Sequence, residues 1–168
     1  MQAHYDSVIT KIKDYNPPRQ TRLLTPEVFV YNIKSYQTEL FKHLDRNTKY
    51  IIIKDKTKIY ETLFNLTILC LNHLQNTTST PGSEIISDNR TLFMKKNTDY
   101  GNSFEDFELI GILVRLNDKM NRIISLDKNQ SQVVLDERSE DTINDLYNYG
   151  IIGLMFKEFD PNKINPTK

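Results

Sequence analysis

The sequence predicts an all-α fold, a compact bundle of five to six helices. Three observations lead there. Apolar residues recur at spacings of three and four along most of the chain, helix start and stop signals fall between those stretches, and strand-like composition is confined to one short run. A chain of 168 residues with 38% apolar and 26% charged side chains is long enough to bury one core. Residues 1–160 are therefore read as a single helical domain and 161–168, with two prolines, as a frayed tail.

The elements follow in order. Residues 3–14 predict a short first helix, stopped by Pro17-Pro18, which supply no N–H and push the preceding residue out of the α region. Thr25-Pro26-Glu27 is a strong start: a capping hydroxyl, a proline at the first helical position and an early acid facing the helix dipole. Phe29, Ile33, Tyr36, Leu40 and Leu44 then form one apolar stripe on a helix ending near Asp45. The run Tyr50 to Ile53 fits either a short strand or a lead-in to the next helix. From Lys56 to Gln75 the apolar positions (Ile59, Tyr60, Leu63, Phe64, Leu66, Ile68, Leu71, Leu74) wrap most of the way round, the mark of a central helix. Asn76 to Ser83 reads as a flexible connector, 84–96 as a helix, and Asn97 to Asn102 as a turn. Ser103 with Asp106 has the form of a capping box that opens a helix running to Leu126. The polar stretch Asp127 to Gln132 breaks it, and a last helix starts from a cap at Asp136 and extends to Phe156.

Composition excludes several functions. With 22 basic and 22 acidic residues the chain lacks the basic excess of a duplex-binding module, so direct binding to duplex nucleic acid is not expected. The longest apolar region, Ile59 to Leu74, is interrupted by Glu61, Asn65, Asn72 and His73 and does not predict a membrane span. No signal peptide is read at the N-terminus. The single cysteine, Cys70, sits among apolar neighbours and reads as a buried small hydrophobe in a reducing, cytoplasmic setting. One Cys and three scattered His do not make a zinc site, and no P-loop, dinucleotide-binding turn or nucleophile elbow occurs.

Three polar patterns are candidates for chemistry. On the 104–126 helix the predicted core stripe is Phe107, Ile110, Leu113, Leu116 (or Val114), Met120 and Ile124. Glu108, Gly111, Arg115, Lys119 and Arg122 line up opposite it, three cations on one face that suit phosphate groups. The plain alternative is a solvated charged face. On the last helix Asp141 and Asp145 lie one turn apart, with Asn144 and Asn148 beside them and Ile143, Tyr147, Ile151 and Leu154 facing the core. Such a pair suits Mg²⁺, which takes one or two carboxylates plus substrate phosphates, or simply complements the helix dipole. The third pattern is the turn Lys95 to Gly101, in which Asp99, Tyr100 and Gly101 supply an acid, a stacking aromatic and a close backbone approach.

Taken together, Lys96 to Gly150 resembles the first family of nucleotide modification associated domains, found in phages, bacteria and large DNA viruses. The residues that carry the resemblance are Asp99-Tyr100-Gly101-Asn102-Ser103-Phe104, then Asp118-Lys119-Met120-Asn121-Arg122-Ile123, then Asp141-Thr142-Ile143-Asn144-Asp145-Leu146-Tyr147-Asn148-Tyr149, within a family-like core of about 84–158. The resemblance implies an all-α domain that binds or acts on nucleotides or deoxynucleotides in modified-base metabolism. Asp99, Tyr100, Gly101, Arg115, Lys119, Arg122 and Asn148 would then be its nucleotide contacts. The chain is more distantly similar to all-α nucleotide pyrophosphohydrolases of the MazG and dimeric dUTPase kind, which hold Mg²⁺ on Glu-x-x-Glu and Glu-x-x-Asp. Here Glu105 and Glu108 form the first motif, and the second is present only in altered form at Asp141 and Asp145. That likeness implies Mg²⁺ and hydrolysis of a nucleoside triphosphate, with those four acids catalytic and metal-holding. Two alternatives stand beside it. One is a nucleotide sponge or sensor without turnover. The other is a helical interaction or assembly protein that needs no ligand, in which Arg115 or Lys119 pairs with Asp141 or Asp145. Wide apolar faces on small helical domains of this type also lead us to expect a homo-oligomer.

Overall fold

The computed structural model of the protein describes residues 2–15, 25–46, 50–100, 108–129 and 137–158. Six helices and one small hairpin follow in order: α1 (Gln2–Tyr15), α2 (Pro26–Lys42), β1 (Leu44–Arg46), β2 (Ile51–Ile53), α3 (Lys56–Thr78), α4 (Gly82–Tyr100), α5 (Glu108–Asn129) and α6 (Glu137–Glu158). The predicted all-α bundle is what forms. The cap at Thr25 is as expected, its hydroxyl accepting from the Val28 N–H at 3.3 Å with Pro26 at the first helical position.

Three local expectations are corrected. α2 stops at Lys42 rather than Asp45, because Leu44 to Arg46 pairs antiparallel with Ile51 to Ile53 and claims the chain for a hairpin. The stretch from Asn76 is helical as far as Thr78, and the left-handed Ser79 (φ 53°) ends α3, leaving only a short link before α4. α4 continues through Asn97 to Tyr100, so the first four residues of the expected turn are helix. The capping box at Ser103 and Asp106, the core position Phe107, the cap at Asp136 and the tail 161–168 lie outside the described residues.

α3 is the central helix, with Ile59, Leu63, Leu66, Thr67 and Cys70 fully buried. Its most extensive partner is α6, which also packs on α5, α1 and α4. Two glycines bring α6 in. A Cβ on Gly150 would stand 2.2 Å from Thr67 Oγ1, and one on Gly153 would stand 2.9 Å from Leu63 Cδ1. Thr67 cannot swing aside freely, because it is buried and its hydroxyl donates to the Leu63 carbonyl at 2.7 Å. On α5 the buried positions are Leu109, Ile112, Leu113, Leu116, Met120 and Ile123. The stripe is thus rotated from the expected one: Ile110 and Ile124 are half-buried and Val114 is 48% exposed.

His73 lies inside this core at 1% exposure, its ring stacked on Phe29 with centroids 3.9 Å apart. Its Nε2 has no hydrogen-bond partner among the described residues. Burial disfavours the imidazolium and pushes its pKa from 6.5 down to about 4.

Two tests follow from this packing. Gly150→Ala should lower stability by about 1–3 kcal/mol in chemical denaturation, since overpacking outweighs the helix-propensity gain. Adding Thr67→Ala should recover most of that loss, a coupling that a double-mutant cycle measures. For His73, the unfolded chain takes up the proton at a higher pH than the folded one. Stability should therefore fall as pH drops from 6.5 towards about 4, and this contribution should level off below that. The full effect is on the order of 3 kcal/mol, and denaturation curves of His73→Leu should lose the dependence in that window.

Candidate functional site

The side chains singled out on α5 and α6 meet at one point. Lys119 Nζ lies 2.9 Å from Asp145 Oδ2, with the two side chains 27% and 37% exposed. Register along the helix pair follows from a second approach: a Cβ on Gly153 would lie 3.7 Å from Ile112 Cγ2 and 3.8 Å from Leu109 Cδ1. The helices therefore run antiparallel, with Lys119 level with Asp145 and Leu109 level with Gly153. Arg115 and Arg122 share the stripe of Lys119 and are exposed. Asp141 and Asn148 share the stripe of Asp145.

A cavity of about 440 Å³ opens beside this pair, between α4 and α6. Asp88, Asn89 and Lys96 border it from α4, and Glu140, Asp141, Asn144 and Asp145 border it from α6. Four carboxylates against one ammonium make its rim strongly negative. Two of its lining residues, Asn89 and Asn144, belong to a chain of amides that runs on to Asn148. Asn89, 5% exposed, donates from Nδ2 to the Ile85 carbonyl at 2.9 Å and to Asn144 Oδ1 at 3.0 Å. Its Oδ1 accepts from Asn148 Nδ2 at 2.7 Å, and Asn148 Oδ1 in turn accepts from the Tyr5 hydroxyl at 3.1 Å. Each amide is satisfied by its neighbours, which holds the cavity walls at a fixed separation. α1 is part of this frame. Tyr5 stacks on Phe93 of α4 at 4.3 Å, and burial pushes its hydroxyl pKa up. Asp6 accepts two hydrogen bonds from Arg90, at 2.7 and 3.0 Å, which hold its carboxyl below the usual range.

The other predicted site residues fall as follows. Glu108 is exposed at the start of α5, with φ at 54° in the left-handed region. Eleven residues of helix separate it from Lys119, about 16 Å along the axis, so it stands at the Gly153 end of the pair, away from Asp141 and Asp145. Asp99 and Tyr100 lie in the last turn of α4. Gly101 and Glu105 lie outside the described residues. Among the described residues no three His, Cys, Asp or Glu side chains come together as a metal site, and no helix is long and apolar enough to cross a membrane.

Sequence reasoning missed Tyr5, Asp6, Asp88, Asn89 and Arg90. Their partners are distant in sequence (55 residues for Asn89 with Asn144, 143 for Tyr5 with Asn148), beyond any periodicity argument. Asn89→Ala should strand the half-buried amides of Asn144 and Asn148 and lower stability by about 1–2 kcal/mol, read from the denaturation midpoint.

Nothing among curated proteins or solved structures matches the chain. Residues 96–156, the end of α4 with α5 and nearly all of α6, match the family model described as nucleotide modification associated domain 1.

Proposed function

We propose that the protein binds a nucleotide or deoxynucleotide at the α4–α6 cavity, with Mg²⁺ between the phosphates and the carboxylates. The observation that carries this is the Lys119–Asp145 pair, which joins the cation row of α5 to the acid row of α6 through Asp145, a residue that borders that cavity. Both rows fall inside the segment matched by the nucleotide-associated family model. Charge decides the form of the ligand. Four acids and one lysine at the rim repel a bare phosphate, so a divalent cation must come with it. Asp141 and Asp145 would hold that ion through one or two carboxylates, with water and phosphate oxygens filling its remaining positions. Lys119 would then turn from Asp145 to the phosphates, with Arg115 and Arg122 on the same face. When bound, the ion would supply charge neutralisation and orient water for attack on a phosphate. Glu108 is too far along α5 to share it. Cys70, fully buried with its thiol pKa raised by burial, suits the reducing cytoplasm in which such a pool would be found.

The same ion pair favours a second reading, a helical assembly protein that needs no ligand, because Lys119 and Asp145 already satisfy each other. A thermal-shift panel of ribo- and deoxynucleotides with and without Mg²⁺ separates the two. Binding predicts a base-selective shift that requires Mg²⁺ and vanishes in Lys119→Ala, whose own stability falls by less than about 1 kcal/mol because the pair is partly exposed. At a hundred times its Kd the ligand should add roughly 2.7 kcal/mol. A flat panel, with Lys119→Ala changing the oligomeric state by light scattering, would establish the assembly reading instead. Product analysis on the selected nucleotide then distinguishes hydrolysis from a sponge or sensor.

A further inference from the structure

The α4–α6 cavity has a third side, built by the end of α3 and its link to α4. Leu74, Thr78 and Thr80 border the cavity there, together with Ile85. Leu74 and Ile85 are buried and give this side an apolar surface. Thr78 donates its hydroxyl proton to the Leu74 carbonyl at 2.6 Å, and Thr80 donates its own to the Thr78 carbonyl at 3.3 Å. The Thr78 carbonyl is the last of α3 and has no acceptor role within the helix, so the Thr80 proton goes to a group the helix leaves open. Both hydroxyl oxygens keep lone pairs that can accept.

The amides lean the same way. Asn89 uses both Nδ2 protons, on the Ile85 carbonyl and on Asn144 Oδ1. It cannot turn over, because that would set its oxygen against the Ile85 carbonyl. Asn144 is fixed likewise by the Glu140 carbonyl, which accepts from its Nδ2 at 3.1 Å, and it keeps one amide proton. The carboxylates of the rim only accept. The last turn of α3 holds no basic residue, so the negative end of its dipole adds to them. Among the described residues that border the cavity, only Lys96 and that one Asn144 proton are left to donate.

We infer that the cavity selects bases carrying an exocyclic amino group, of the cytosine or adenine type, over their oxo counterparts uracil and hypoxanthine. The inference rests on the nucleotide reading above. With the phosphates and the cation at Asp141 and Asp145, the base lies against Leu74 and Ile85 with its edge towards Thr78 and Thr80. An amino group brings two protons for two hydroxyl oxygens. An oxo base brings a single ring N–H, flanked by a carbonyl oxygen that meets an oxygen of the wall. Either a hydrogen bond is lost or a hydroxyl must leave the backbone carbonyl it serves.

Isothermal titration calorimetry on the full chain with Mg²⁺ tests it with two matched pairs, dCTP against dUTP and dATP against dITP. In each pair the amino group is exchanged for a carbonyl. The amino member should bind about tenfold more tightly, the difference of roughly one hydrogen bond. Thr78→Val and Thr80→Val should each narrow that ratio to about threefold or less, with an unchanged circular dichroism spectrum. Equal affinities within both pairs, tighter binding of the oxo members, or a full ratio in both valine variants would overturn the inference and leave the nucleotide reading standing. No binding of any of the four probes would overturn the two together.

Discussion

The closeness of α6 to α3 is the constraint on which the rest of the structure depends. Gly150 and Gly153 remove two Cβ atoms where α6 crosses Thr67 and Leu63, and every other contact of α6 is set by that depth. With α6 seated there, its remaining sides reach α5, α1 and α4 at once. The Lys119–Asp145 pair and the amide chain from Asn144 to Tyr5 are both consequences. The first lies on the α5 side of α6 and the second on the α4 and α1 side.

From that frame the electrostatics divide cleanly. α6 carries acids at its N-terminal end, where the helix dipole favours them, and these acids rim one cavity. Its C-terminal end carries Lys157 in the last turn, where the dipole favours a cation. A chain of zero net charge thus separates its charges along one helix. The amide chain between α4 and α6 adds rigidity without charge, because each of its members bonds within the chain.

Much of this was legible in the sequence where the determinants are local. The Thr25-Pro26 start, the all-round apolar α3 with its buried Cys70, and the Ile143, Tyr147, Ile151 and Leu154 stripe of α6 each follow from neighbouring residues and recur in the structure. The α5 stripe followed only in part: Leu113, Leu116 and Met120 are buried as expected, while Ile110 and Ile124 are half-buried and Leu109, Ile112 and Ile123 take the buried edge. Leu109, Ile110, Ile112, Leu113, Val114 and Leu116 make an apolar arc too wide to fix its own phase, and only the seat of Gly153 on Ile112 and Leu109 selects the buried edge. Residue pairing across helices was legible only as a possibility: the assembly alternative pairs Arg115 or Lys119 with Asp141 or Asp145, and the structure selects Lys119 with Asp145. Tyr5 and Asn89 carried no signal at all. A tyrosine and an asparagine on polar-looking helices gain their role only when folding brings three elements together.

The most direct test of the account is paramagnetic broadening of backbone amide signals by Mn²⁺, standing in for Mg²⁺, in the presence of nucleotide. The account predicts broadening centred on Asp141, Asn144 and Asp145 of α6 and on Asp88 and Asn89 across the cavity, with the amides of Glu108 and its neighbours untouched. Broadening that left α4 and α6 unaffected, or that centred on Glu108, would contradict it.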